Sequence, residues 1–432
     1  MKNRKALALI AILALVAAAC GGSDGGSDEA VVEVETTEAP ATTEAPTTTA
    51  APAPASDPLI LASLMPLSGD LASLGPGIAL GAALAVEQIN AAGGINGQPV
   101  QLIEGDSGCD GAVALTSLND VIAQGAQGVM GAACSSTSLA ILDTAIAAEV
   151  VMISPSNTSP QFTKIDKKGF YARTAPSDLL QGDVLASLLV EDGVQTVSII
   201  SRADSYGRGL AEATAAAFEA AGGTVKTIVY HATDASEFTS EVTAVGKGGA
   251  DAIVGILFPE TGCGVLQPAF EQGLLDTPWY MTDGVKDAGL ASLCGLGTAL
   301  DGFKRKAPGS AAGEAKDAFE AAYAEVSADG SPTFIFAPQA YDAVMLMAIS
   351  AAANGVTGPE IASGLVAASS GGEKCIGVAC IALAADGVDV DYVGASGEIE
   401  LNAVGDPTAA TYDIWTTEGD TNPVLRSVDF GS

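Results

Sequence analysis

The stretch Gly128–Ser154, GVMGAACSSTSLAILDTAIAAEVVMIS, decides the fold. It opens on a short apolar run, Gly128 to Ala132, and passes through a turn of small and hydroxyl residues. An Ala-rich segment of helical length, Ser138 to Ala148, follows, and the stretch closes on a second apolar run, Val150 to Ser154. Short apolar runs without alternation fit strands buried on both faces, so strand, helix, strand in this order predicts a parallel sheet covered on both sides.

The pattern continues outward in both directions. Upstream, Leu59 to Leu64 and Gln101 to Glu104 are strand candidates around a helical segment, Ile78 to Ala92. After Ser177 the alternation resumes with Val197 to Ser201, Lys226 to His231, Asp251 to Leu257 and Trp279 to Thr282. Residues from about Leu59 to Ser432 are too many for one compact core, so the expected architecture is α/β, two doubly wound parallel-sheet lobes of similar build. Such sheets bind ligands beyond the carboxyl ends of their strands.

The N-terminus reads as an export signal. Lys2, Arg4 and Lys5 precede an apolar run from Ala6 to Val16, which ends on Ala17, Ala18, Ala19 and Cys20. The run is too short to span a bilayer. The stretch ending at Cys20 resembles a bacterial lipobox, which implies lipidation of Cys20 and residues 1–20 as signal peptide; Ala17 stands where the motif usually has leucine. Residues 21–57 hold almost no large apolar side chain and repeat Thr-Thr-Glu-Ala-Pro at Thr36 and Thr42, so no core can form there. They read as an extended tether with a reach on the order of 100 Å.

The net charge is −34, which repels polyanions and excludes nucleic acid as a natural partner. Apart from Cys20 the chain has Cys109, Cys134, Cys263, Cys294, Cys375 and Cys380, an even number for an oxidising compartment. Neighbour pairing is the simplest connectivity: Cys109 with Cys134, Cys263 with Cys294, Cys375 with Cys380. No CxxC occurs and His231 is the sole histidine, so no metal is expected.

Two hydroxyl-rich loops follow predicted strands: Cys134-Ser135-Ser136-Thr137-Ser138 and Ser154-Pro155-Ser156-Asn157-Thr158-Ser159. The first opens a helix, where free N–H groups attract a carboxylate; plain capping by Ser or Thr is the simpler alternative. With two such loops at one crevice, binding becomes the better reading. In the second lobe, Asp283 sits just past a strand, positioned to meet a ligand ammonium, and Tyr206 and Phe258 offer aromatic walls. No dinucleotide fingerprint or phosphate loop is present, and no GxSxG follows a predicted strand, so neither cofactor nor enzymatic activity is expected.

Several motifs together resemble the leucine/isoleucine/valine-binding family, the type I periplasmic binding proteins of ABC importers. They are Met65-Pro66-Leu67-Ser68-Gly69, Ile89-Asn90-Ala91-Ala92-Gly93-Gly94, Asp106-Ser107-Gly108-Cys109-Asp110, Arg173-Thr174-Ala175, Ser205-Tyr206-Gly207 and Ala340-Tyr341-Asp342-Ala343. The resemblance implies a monomeric, lipid-anchored protein on the outer face of the membrane. It would capture an amino acid by closing a three-stranded hinge and present it to an ABC permease. It also implies a Cys109–Cys134 bridge, Ser135 and Thr158 as holders of the ligand's carboxylate and amino group, Tyr206 closing from the second lobe, and Asp283 on the ammonium. Lobe 1 would combine about Asp57 to Pro176 with Lys306 to Asp389, and lobe 2 would hold residues 177–305 and 390–432. Asp283 stands where glutamate is common, Phe258 replaces a tyrosine, and Leu74 takes an aromatic position, so the pocket walls differ. Ser156 and Asn157 make the mouth more polar and Ser136 is a further candidate ligand residue; the alternatives are a ligand-sensing lipoprotein and a binder of an amide or urea-type solute. Phe334 is a further candidate for an apolar wall.

Overall fold

The computed structural model describes residues 57–286, 289–331 and 334–430. The signal segment, Cys20 and nearly all of the tether lie outside the described residues.

The first lobe begins with β1 (Ile60–Met65), α1 (Gly75–Ala91), β2 (Gln101–Asp106), α2 (Gly111–Ala123), β3 (Gly128–Gly131), α3 (Ser135–Ala147), β4 (Val151–Ser154), α4 (Gln161–Lys164) and β5 (Tyr171–Arg173). Its five strands run parallel in the order β2-β1-β3-β4-β5. The apolar runs thus form strands as expected, and β3 and β4 are buried at every residue.

The chain then crosses into α5 (Asp178–Glu191), β6 (Thr196–Arg202), α6 (Ser205–Ala220), β7 (Thr224–His231), α7 (Thr239–Gly246), β8 (Ala252–Ile256), α8 (Pro259–Glu271), β9 (Trp279–Met281), α9 (Leu290–Leu293) and β10 (Lys304–Pro308). A second crossing leads back through α10 (Glu314–Val326), α11 (Ala337–Asn354), α12 (Gly358–Ala368), β11 (Glu373–Ile376), α13 (Ala379–Ala385), β12 (Val390–Gly394) and β13 (Gly397–Glu398). A third crossing ends in β14 (Ala410–Thr416) and β15 (Val424–Phe430).

The second sheet has the order β15-β14-β10-β9-β8-β6-β7. It is parallel except at one edge, where β14 pairs antiparallel with both β10 and β15. At that edge the returning chain enters as a hairpin instead of a strand-helix unit. Sheet membership locates the crossings: β10 belongs to the second sheet and β12 pairs with β11 in a small separate sheet, so the chain changes over after Pro308 and after Glu398.

Helix α11 is buried from Ala337 through Ala351 and packs on α1. Fully burying each of Val344, Leu346 and Ile349 stabilises by about 1.5–3 kcal/mol. The close approach requires glycine at 81, where a Cβ would lie 2.2 Å from the Ala337 carbonyl oxygen. The six cysteines pair as neighbours, with Cα separations of 5.4 Å for Cys109–Cys134, 4.9 Å for Cys263–Cys294 and 5.4 Å for Cys375–Cys380, within the ordinary range for a disulfide.

Candidate functional site

The turn from β3 into α3 forms one end of the site. Cys134 is the N-cap of α3, in extended conformation, and no side chain caps the helix. The first main-chain bond of the helix runs from Ser138 N to Cys134 O at 3.0 Å, so the amides before it have no intrahelical acceptor. Ser135, expected before the helix, is its first residue. Capping by a hydroxyl therefore does not account for this loop. Uncapped amides and the positive end of the helix dipole attract an anion, and the disulfide to Cys109 holds the N-cap in place.

Asp283 forms the opposite end. It follows β9, is 4% exposed, and its Oδ1 accepts hydrogen bonds from Tyr206 OH at 2.9 Å and from Gln181 Nε2. Burial pushes its carboxyl up, against the hydrogen bond from Gln181, the charge of Lys306 and the bond from Tyr206. Tyr206 OH lies a further 2.9 Å from Thr282 Oγ1. Tyr206 reaches this position because α6 starts directly on the end of β6; a Cβ at Gly207 would sit 2.3 Å from the Arg202 carbonyl oxygen.

Aromatic and aliphatic walls join the two ends. Phe258 stacks on Tyr206 with ring centres 5.4 Å apart, and the Arg202 guanidinium lies 3.9 Å from the centre of the Phe258 ring. Leu71, Leu74, Ile78 and Phe336 complete the apolar lining. Arg202 also crosses between lobes, with Nη2 2.8 Å from Asp70 Oδ2, and Ser159 Oγ donates across to Ser205 O at 3.0 Å. With the lobes together, the cavity amounts to about 20 Å3, room for roughly one water.

The expected residues divide. Leu74, Ser135, Tyr206, Phe258 and Asp283 line this one cavity, together with Ser156. Ser136 does not line it. Asn157 turns away: its amide nitrogen donates to Ala132 O and Ala133 O at 3.1 and 2.8 Å, and its oxygen accepts from Tyr171 OH at 2.9 Å. Thr158 is fully buried beside Asp178 and outside the lining. Phe334 packs on Gly77 while Phe336 provides the wall. Arg202, Asp70, Gln181 and Lys306 went unrecognised in the sequence; a basic residue at a strand end in so acidic a chain was the available signal for Arg202.

A larger cavity, about 420 Å3, lies elsewhere, between the crossing segments at Thr174–Pro176, Pro308–Ala312 and Pro407–Thr411. Its walls include none of the expected ligand residues, so chemistry rather than size selects the smaller cavity.

A family model described as "Periplasmic binding protein" matches residues 58–374. An amino acid binding protein of Pseudomonas aeruginosa is 34% identical over 238 residues, 53% of this chain and 62% of that protein. A leucine-, isoleucine-, valine-, threonine- and alanine-binding protein of the same organism is 30% identical over 304 residues, 68% of this chain and 78% of that protein. The first of these matches therefore spans less than two thirds of the relative's own length. Among solved structures, a leucine binding protein from Thermotoga maritima superposes with a TM-score of 0.73 at 20% identity, covering 86% of this chain and 98% of that one, which is a likeness of fold.

Proposed function

The chain belongs to the periplasmic binding protein family, and from that premise we propose that it captures a free amino acid between its lobes and presents it to an ABC permease. The family consists of exported solute-binding proteins and performs no chemical step. One observation carries the amino-acid reading: the uncapped N-terminus of α3 and the buried Asp283 carboxylate face a single cavity from opposite lobes. An α-carboxylate suits the first and an α-ammonium the second. The walls of Leu71, Leu74, Ile78, Phe258 and Phe336 suit an apolar side chain. Ser156 in the same lining supports a second reading, a ligand with an amide group.

The lobes must part to admit such a ligand, since the closed cavity holds little more than a water. Contacts that form only when the lobes meet then favour the closed form. Anchoring through a lipid on Cys20 belongs to the same proposal.

Calorimetry with free amino acids, their N-acetyl derivatives and simple amides and ureas tests this. The expected result is binding of an apolar amino acid and loss of binding on N-acetylation, with Asp283→Ala weakening it by about 2–5 kcal/mol. Binding unaffected by N-acetylation and by Asp283→Ala would remove the ammonium assignment.

A further inference from the structure

Where the lobes join, close to the Asp283 end of the cavity, lies a cluster of buried polar groups whose hydrogen bonding is incomplete. Asp178, the first residue of α5, is fully buried, as are Thr158, Gln181, Lys306 and Tyr412. Neither Asp178 carboxylate oxygen has a hydrogen-bond partner among the described residues, and nor do Lys306 Nζ, Thr158 Oγ1, Gln181 Oε1 or Tyr412 OH. The Thr158 hydroxyl acts on the Asp178 carboxyl through its proximity, without the alignment of a good hydrogen bond.

The cluster draws on all three crossings. Asp178 stands just after the first, Lys306 just before the second and Tyr412 just after the third. The groups facing Lys306 are Asp178 from α5, Asp283 from the turn after β9 and Tyr412 from β14, whose ring centre is 5.4 Å from Nζ. Tyr206 of α6 stands behind Asp283, and Arg173 of β5 acts on Asp178 while bonded to Asp406 at 2.9 Å. Two carboxylates thus share one lysine in a site shut off from water.

We propose that Lys306 is a specificity-determining residue, the internal cation of the ammonium site, which releases its proton to solvent when a ligand ammonium enters beside Asp283. This rests on the amino-acid reading above. A ligand cation placed beside Asp283 takes over the role Lys306 plays in the empty site, and two cations so close in a dry pocket repel. Lys306 can yield because burial pushes its ammonium down to about 7, against the opposing pull of Asp283 and Asp178. Burial likewise pushes the Asp178 carboxyl well above its ordinary range, and the Asp283 charge adds to this.

The sign follows from proton counting. The bound state holds fewer protons than the free state, so affinity rises as pH climbs through the Lys306 value and levels off above it. Titrating the full chain with L-leucine in phosphate and in Tris at pH 7 reads the protons exchanged. Wild type is expected to release about half a proton at pH 7 and to bind about tenfold more tightly at pH 8 than at pH 6. Lys306→Met is expected to release none and to bind equally across that range. Lys306→Arg, whose charge cannot be given up, should release none and bind leucine more weakly; circular dichroism checks both folds. Leucine binding to wild type without proton release, or undiminished release from Lys306→Met, overturns the proposal and leaves the amino-acid reading standing. No leucine binding to wild type at pH 8 counts against both.

Discussion

Arg202 is held from several sides. Nε meets Asp204 Oδ2 at 2.9 Å, Nη2 meets Asp70 Oδ2 at 2.8 Å, and the guanidinium plane covers Phe258. Only 2% of its side chain is exposed, so these contacts are little weakened by solvent. It ties the position of the aromatic wall to the closing of the lobes, because Asp70 belongs to the first lobe and Arg202 to the second. Arg202→Ala should weaken ligand binding by about 2–3 kcal/mol, since it leaves Asp204 and Asp70 without their partner as well as removing the brace on Phe258. Arg202→Lys should recover only part of this, because an ammonium cannot bridge both carboxylates and stack on the ring as a planar guanidinium does. Calorimetric Kd values for the two variants, with thermal melts to follow folding, check the order wild type, Lys, Ala.

At the scale of elements, the disulfide to Cys134 fixes the start of α3 and with it the candidate carboxylate seat. The bridges Cys109–Cys134 and Cys263–Cys294 close loops of 25 and 31 residues, so removing either as a Cys→Ser pair should cost a similar stability, about 3.5 kcal/mol. Only loss of the first should also lower ligand affinity, because Cys134 and Ser135 line the cavity whereas Cys263 and Cys294 do not. Denaturant melts and calorimetry on the two double variants separate the effects.

The strand-helix alternation was legible because burial on both faces leaves its mark in each short apolar run, and the position of Ser135, Tyr206, Phe258 and Asp283 just after strands followed from it. The direction of a loop side chain leaves no such mark. Asn157 looked like a donor for a ligand, yet its amide is used up on Ala132 and Ala133. Phe334 and Phe336 are neighbours in sequence and only the second faces the cavity. The Arg202–Asp70 contact joins residues 132 apart, and the meeting of Asp178, Lys306 and Asp283 needs the complete tertiary structure. The crossings were legible only to within several residues, because β10 and β12 have the same apolar character whichever sheet receives them.

For the whole molecule, the net charge of −34 argues for a well-solvated, mutually repelling protein, which under the proposed lipid anchor on Cys20 would be held near its membrane by that anchor rather than by surface adhesion. Replacing Cys20 by serine should then abolish incorporation of labelled fatty acid and shift the protein from the membrane fraction to the soluble fraction, with ligand affinity of the folded lobes unchanged. Retention in the membrane fraction by Cys20→Ser would place the anchor elsewhere.

The interleaving of the two lobes also bears on the order of assembly during synthesis. When residue 330 has been added, the five strands of the first sheet exist, but α11, which packs against α1, has not been made. The second sheet then has its strands from β6 to β10 and lacks β14 and β15. Each lobe therefore waits for chain made after residue 330, α11 for the first and β14 and β15 for the second. A nascent chain arranged in this way does not complete both lobes until β15 has been made, the condition in which a polypeptide can still be threaded through an export channel.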